Sequence, residues 1–531
     1  VGWRNNTYPT ADLHRIYYVF NNFFTLIGQY FYGTSGPGGI PVPRSCPLGD
    51  ESAECIYIDP NPIGSLDNQG HNYFLSQNGI RTKSKSIFGE LYWKFSDTLK
   101  LTVGARYTQD RKASTQIPSQ LLLGGGTDGP NPGSSTGGRV NSGYPAQPDI
   151  NQRWNKFTGR VVLDWKPELA FTDDTLIYAS ASRGYKGGGT NPPRVDINPE
   201  IVQYLPLPQT FKPEYVNAFE IGTKNSFDGG RFTLNATAFY YDYKDYQISQ
   251  IVDRIAFNEN FNATSYGLEL EAAWRPSRAF RVDANLGYLR TRLKDGEQSI
   301  DVMDRTQGNE DWILLRPWLQ APSNCVAPRV LVERILAANT GLEQFALPAM
   351  CPGGNRLGGF NPDVPGGIPF WALYGFTYDP FAAYDPSKIG LDIAQGGSGA
   401  PNQGRGFNAD LSGNELPNSP RLTFNIGAQY TVFLDGGNWE LTLRGDYYRQ
   451  SKSYARVYNT AYDRIRGWDN ANLALTLTRP ASDLSFQLYV KNLFDDAPIT
   501  DVFTNADDTG LSANIFTLDP RIIGFSVAKR F

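Results

Sequence analysis

Four cysteines and two histidines are the side chains of this chain best suited to nucleophilic or metal chemistry. The cysteines fall into two local pairs, Cys46 with Cys55 and Cys325 with Cys351, each inside a segment rich in Gly and Pro. In an oxidising compartment such pairs form disulfides that staple loops. A metal site made from all four thiolates would lack any C-x-x-C spacing and would need two distant segments to meet, so disulfides are expected. His14 and His71 lie far apart in sequence, which argues against zinc or a histidine-centred active site. No catalytic residue, metal ligand or resident cofactor is assigned, and the chain is not expected to be an enzyme.

Several other groups invite a chemical reading. Lys186-Gly187-Gly188-Gly189 suggests a phosphate loop, but no G-x-x-x-x-G-K-[ST] is present and no helix follows. These glycines read as the rim of a sheet, where Arg183, Tyr185 and Lys186 are candidate ligand contacts. Trp312, Trp318, Trp371 and Tyr374 share one long segment and suit stacking on a ligand, or equally a small core of that segment itself. Asp301, Asp304, Glu310 and Asp311 lack the spacing of an EF-hand and read as solvated loop acids. Pro328 to Gly341 reads as a short helix, with Pro at its start and Gly after its end. Val330, Leu331, Ile335 and Leu336 are its expected apolar stripe.

The elements that position these groups are strands. Aromatic residues make up 13% of the 531 residues, yet no run approaches the ~18 apolar residues of a membrane helix. A transmembrane β-barrel escapes that test, because lipid-facing and lumen-facing residues alternate. The last strand displays the pattern: Phe525, Val527 and Phe531 share one face with Ile523, and Gly524, Ser526, Ala528 and Arg530 share the other. An apolar strand at the end of a chain is an exposed edge unless it pairs, and closure into a barrel supplies the partner.

Hairpins recur upstream. Ser86 to Phe95 pairs with Leu101 to Tyr107, Lys156 to Pro167 with Thr175 to Tyr185, and Val216 to Phe227 with Arg231 to Tyr246. Tyr266 to Trp274 pairs with Phe280 to Arg290, Leu422 to Phe433 with Trp439 to Tyr448, and Gly467 to Leu477 with Leu484 to Asn492. Short turns alternate with long segments, the longest spanning 291–421. Short periplasmic turns and long extracellular loops are the asymmetry of outer-membrane barrels. Trp93, Trp165, Trp274 and Trp439 all lie beside short turns, where a periplasmic aromatic girdle is expected. Glu90, Arg106, Glu269, Glu271, Arg281, Asp283, Arg444, Asp446 and Lys491 fall on the polar faces and are expected to point into a wet lumen. Residues 1–85 are read as partial barrel strand and a long extracellular loop carrying Cys46 and Cys55, and 86–531 as the continuing barrel.

YVKNLFDDAP, Tyr489 to Pro498, with the strand ending at Phe531, resembles the closing region of TonB-dependent outer-membrane receptors. Phe88 to Asp110, Ser182 to Pro192, Pro213 to Phe227 and Asn262 to Pro276 resemble successive barrel segments of that family, in its order. The resemblance implies an all-β, antiparallel, up-and-down transmembrane barrel of 22 strands, of which this chain holds about 13–14. It implies an N-terminal plug with a TonB box, which this chain is expected to lack. It also implies the outer membrane of a Gram-negative bacterium, lipid and a TonB energy-coupling complex as partners, and a small-molecule nutrient as cargo. A ferric siderophore is the family's default; cobalamin, haem, oligosaccharides and aromatic compounds stay open, and any iron would arrive with the substrate. The near-neutral charge of -4 points to no nucleic acid. Two other readings remain: a passive diffusion channel closing alone with about 14 strands, and a surface adhesin.

Overall fold

The computed structural model describes residues 74–121, 148–191, 208–252, 255–315, 324–343, 346–347, 350–351, 373–504 and 513–530. Cys46, Cys55, Trp318, Trp371 and Phe531 lie outside them, as do both histidines.

Thirteen strands form one antiparallel sheet in simple chain order. They are β1 (Phe74–Lys94), β2 (Leu99–Leu121), β3 (Ile150–Trp165), β4 (Asp174–Lys186), β5 (Glu214–Phe227), β6 (Phe232–Val252) and β7 (Ile255–Trp274). There follow β8 (Phe280–Leu293), β9 (Leu422–Leu434), β10 (Trp439–Gln450), β11 (Trp468–Arg479), β12 (Leu484–Lys491) and β13 (Ile522–Lys529). Every hairpin read from the alternation is present. The expected thirteen or fourteen strands are thirteen among the described residues, where β1 and β13 each have one neighbour.

The register explains the alternation. Leu443, Leu475, Leu488 and Phe525 form one cross-strand row over β10, β11, β12 and β13. That row belongs to an outer face of large apolar side chains, with Leu91 76% and Phe525 65% exposed. A soluble protein does not leave so extensive an apolar face uncovered, whereas hydrocarbon covers it at no cost. The opposite face carries the charges. Among the described residues no helix is long and apolar enough to cross a membrane; the crossing elements are strands.

The first strand starts at Phe74, well before Ser86. Its pairing with β2 runs from Lys94 opposite Lys100 up to Phe74 opposite Leu121. A span needs only ~9–11 residues per strand, so the upper half of this hairpin stands clear of the bilayer. There Gly79 to Lys85 of β1 are exposed on both faces, and NGIRTKSK, Asn78 to Lys85, shows no apolar alternation to read. On the other side, the Asp228-Gly229-Gly230 and Asp435-Gly436-Gly437 turns place all six residues at positive φ, between 48° and 96°. Glycine adopts that backbone without steric cost.

Buried side chains gather in the long connections. The segment between β8 and β9 folds on itself: Trp312–Leu315 pairs with Cys325–Pro328, and helix α1 (Arg329–Ala338) follows directly. Cys325 and Cys351 are disulfide-bonded, as expected. The apolar face of α1 is Leu331, Val332 and Ile335, whereas Val330 and Leu336 are exposed. The face is chosen by the hairpin that α1 packs against, which helical periodicity alone does not specify.

Candidate functional site

The long connections converge at one end of the sheet and line an open cavity of about 450 Å³. Its walls come from five places. β6 supplies Tyr246 to Ile251, β7 Ala256, the β8–β9 segment Val302 and Pro417, the β10–β11 connection Ala455 to Val457, and the last connection Val502 to Thr504. β6 has a register shift between Tyr243 and Tyr246, where its lining residues begin. Beyond it Ile248 and Tyr246 pack beside Phe261, Leu293, Leu411 and Val457.

Arg456 locks these connections together. It is 13% exposed, and its guanidinium lies 2.6 Å from Asp301 and 2.6 Å from Asp463. The Tyr458 and Tyr462 rings flank it at 4.9 and 5.4 Å. Burial works against its charge, but the two carboxylates more than offset this and raise its pKa above the arginine range. Burial, then the Asp301 charge, pushes the Tyr462 hydroxyl up to about 12. Tyr458 Oη lies 2.8 Å from the Ile300 carbonyl and 2.9 Å from Gln250 Oε1, tying the β10–β11 connection to both the large segment and the wall. Asp301, read as a solvated acid, is thus a buried ion-pair partner; composition gave no sign of an arginine 155 residues away. Among the described residues no group of His, Cys, Asp and Glu is placed to hold a metal.

Trp312 and Tyr374 lie in the core of the large segment. Trp312 is 1% exposed and meets Tyr384 and Phe407 edge to face, and Tyr374 Oη hydrogen-bonds with Thr340 at 2.8 Å. Of the two readings of these rings, their position fits the internal core, and neither offers a face to a ligand.

At the rim, Arg183 and Lys156 stack over the Tyr215 ring at 5.2 and 4.9 Å, Tyr185 packs against that ring at 5.7 Å, and Lys186 lies 3.9 Å from Glu214. Tyr185 also lines a second cavity of about 310 Å³ with Arg106 and Asp110. Two of the glycines after Lys186 are required by close packing: a Cβ on Gly188 would lie 2.4 Å from the Phe211 carbonyl oxygen, and one on Gly189 2.5 Å from the Phe211 ring. Gly189–Thr190 pairs with Thr210–Phe211, so the run is part of a ribbon and no phosphate cradle.

On the inner wall Glu90 binds Arg160 at 2.7 Å across Gly104. Arg444 binds Asp446 at 2.5 Å and Asp283 at 3.2 Å above Gly427, and Arg281 meets Asp283 at 3.3 Å. Asn235 donates to Glu271, Arg106 lies over Phe88, and Lys491 lies over Tyr489. Glu269 faces Gly287 and Thr237. An aromatic ladder missed by the sequence reading climbs the same wall: Phe239, Tyr241, Tyr243 and Tyr246, with successive ring centroids 4.9, 6.5 and 5.2 Å apart. Its signal was FYYDYKDY, Phe239 to Tyr246, in which every second residue up to Tyr243 is aromatic. At the opposite end Trp93, Trp165, Trp274 and Trp439 sit at or next to strand termini, beside the short turns.

The family model described as TonB dependent receptor-like, beta-barrel matches residues 2–320 and 353–493. The pesticin receptor of Yersinia enterocolitica is 25% identical over 229 residues, covering 42% of this chain and 28% of that protein. The ferric yersiniabactin uptake receptor FyuA from Yersinia pestis superposes with a TM-score of 0.51 at 16% identity, over 86% of this chain and 47% of that one. The siderophore receptor PiuA from Acinetobacter baumannii gives a TM-score of 0.47 at 14% identity, over 85% and 43%. The chain thus spans about half the length of these solved receptors or less. The chain belongs to the TonB-dependent receptor-like β-barrel family, whose members are outer-membrane proteins of Gram-negative bacteria.

Proposed function

We propose that the protein is an active-transport receptor that captures a scarce small-molecule nutrient at its extracellular connections and passes it to the periplasm, with a ferric siderophore as the first candidate cargo. The observation that carries this reading is the family match over most of the chain. The cavity beneath the folded connections supports it, because small-molecule sites are concave and ~300–1,000 Å³ in volume. Energy would reach the barrel from an inner-membrane TonB complex through a plug domain. The family is one of transport receptors, and no catalytic step is assigned.

Accumulation of radioiron presented as ferric siderophores, in cells with and without the gene, tests the reading. Uptake should require the gene and cease when TonB is deleted or a protonophore is added. Gene-dependent uptake that persists through both treatments would mark a passive channel instead. Loss of cell attachment with uptake intact would mark an adhesin.

A further inference from the structure

We propose that the cavity receives an uncharged, flat, largely apolar molecule, or the uncharged aromatic part of a larger one, and that the Phe239 to Tyr246 ladder continues this site down the inner wall. The inference rests on the uptake reading and names its class of cargo.

Charge is the first argument. Among the described residues Arg456 is the one charged side chain lining the cavity, and it is held at 2.6 Å by each of two carboxylates, Asp301 and Asp463. Paired with these two carboxylates, Arg456 offers no free positive charge to an anion. Hydrogen-bonding capacity is the second. The side-chain amide of Gln247 already donates to the Gly187 and Lys212 carbonyl oxygens at 3.1 and 3.0 Å. Ser249 is bonded to Asn258, and Gln250 to Glu259 and Tyr458. The side-chain donors of Gln247, Ser249 and Gln250 are spent on the wall itself, and Ile248, Ile251 and the rings of Tyr246 and Phe503 are the apolar groups left to meet a guest.

The ladder is the third argument. Tyr246 is both a wall of the cavity and the top ring of the series. The ring spacings of 4.9 to 6.5 Å are those of interacting aromatics, so a flat guest can exchange one ring contact for the next along the wall. Tyr241 is fixed by its hydroxyl, which donates to Glu220 at 2.6 Å. Room for Phe239 comes from Gly267, where a Cβ would lie 2.8 Å from the ring.

A matched pair of probes tests this: biphenyl-4-carboxamide and biphenyl-4-carboxylate, alike in shape and different in charge. Equilibrium dialysis against the detergent-purified full-length receptor, with empty micelles subtracted, should show the amide bound at least tenfold more tightly. Tyr246→Ala and Phe503→Ala should each weaken amide binding at least fivefold. Phe503 is substantially exposed, so its variant keeps the test sound if Tyr246→Ala misfolds. Ile248→Lys should reverse the preference in favour of the carboxylate. Equal or tighter binding of the carboxylate by the unsubstituted receptor, binding of neither probe, or full amide affinity in a folded Phe503→Ala variant would overturn the proposal. TonB-dependent uptake that survives any of those outcomes leaves the transport reading standing. Amide selectivity without TonB-dependent uptake sinks the transport reading alone.

Discussion

Arg456 shows how much one side chain can hold when its partners come from distant parts of the chain. Removing it leaves Asp301 and Asp463, 1% and 2% exposed, as buried charges with no cation between them. Arg456→Ala is expected to cost about 3–5 kcal/mol in the local stability of the connections, because breaking a buried ion pair strands its partners. Hydrogen exchange at 295–305 and 451–467 reads the change. Adding Asp301→Asn and Asp463→Asn should restore most of the protection, since the stranded charges are then gone. None of this was legible in the sequence: alternation says which face a residue takes, but the partner of a loop arginine is set by how loops dock. Arg160 was missed for another reason: it lies on β3, and strand register sets it across Gly104 from Glu90. Glycine offers a sharper residue-scale test. A Cβ on Gly267 would lie 2.0 Å from the Tyr288 carbonyl oxygen, a backbone atom that cannot swing aside, whereas one on Gly89 meets nothing within 4 Å. Gly267→Ala should therefore lower the unfolding free energy read from a urea titration by ~1–3 kcal/mol. Gly89→Ala should stay within about 0.5 kcal/mol.

At the scale of elements, the wall was readable and the connections were not. A strand with lipid on one side and a wet lumen on the other must alternate, so Leu268, Leu270 and Ala272 against Glu269 and Glu271 fixed β7 without further information. Where β1 rises above the bilayer the constraint lapses, and the strand was read short. Helix α1 was readable as a helix, yet its buried face depended on the hairpin Trp312–Leu315 with Cys325–Pro328. That unit is predicted to hold together by its disulfide. Cys325 and Cys351 close a loop with a sequence separation of 26, for which chain entropy gives about 3–4 kcal/mol. Replacing both by Ser should raise proteolysis within 324–351 while heat-dependent gel mobility, which reports the wall, stays unchanged. A parallel loss of wall stability would show that the segment is part of the barrel's own fold.

The whole molecule is organised by a single contrast between its two faces, and that contrast can be tested at adjacent residues. Leu475 sits in the outer apolar row between Leu443 and Leu488, and Thr476 faces inward, where Gln487 donates to its hydroxyl at 3.2 Å. Both lie three to four residues from the end of β11, about 10–13 Å along the strand from the short turn and so within the hydrocarbon layer. Leu475→Arg places a cation in hydrocarbon and should cost ~2–4 kcal/mol. Thr476→Arg places the same cation in the wet lumen and should cost under ~1 kcal/mol, chiefly the lost hydrogen bond. Folding each variant into lipid vesicles and following gel mobility against urea measures both. Equal penalties would mean that the outward row does not meet lipid, and the membrane orientation deduced from the register would fail with it. The expected inequality would instead assign every strand its faces, because the register carries the alternation from β11 through its neighbours to both ends of the sheet.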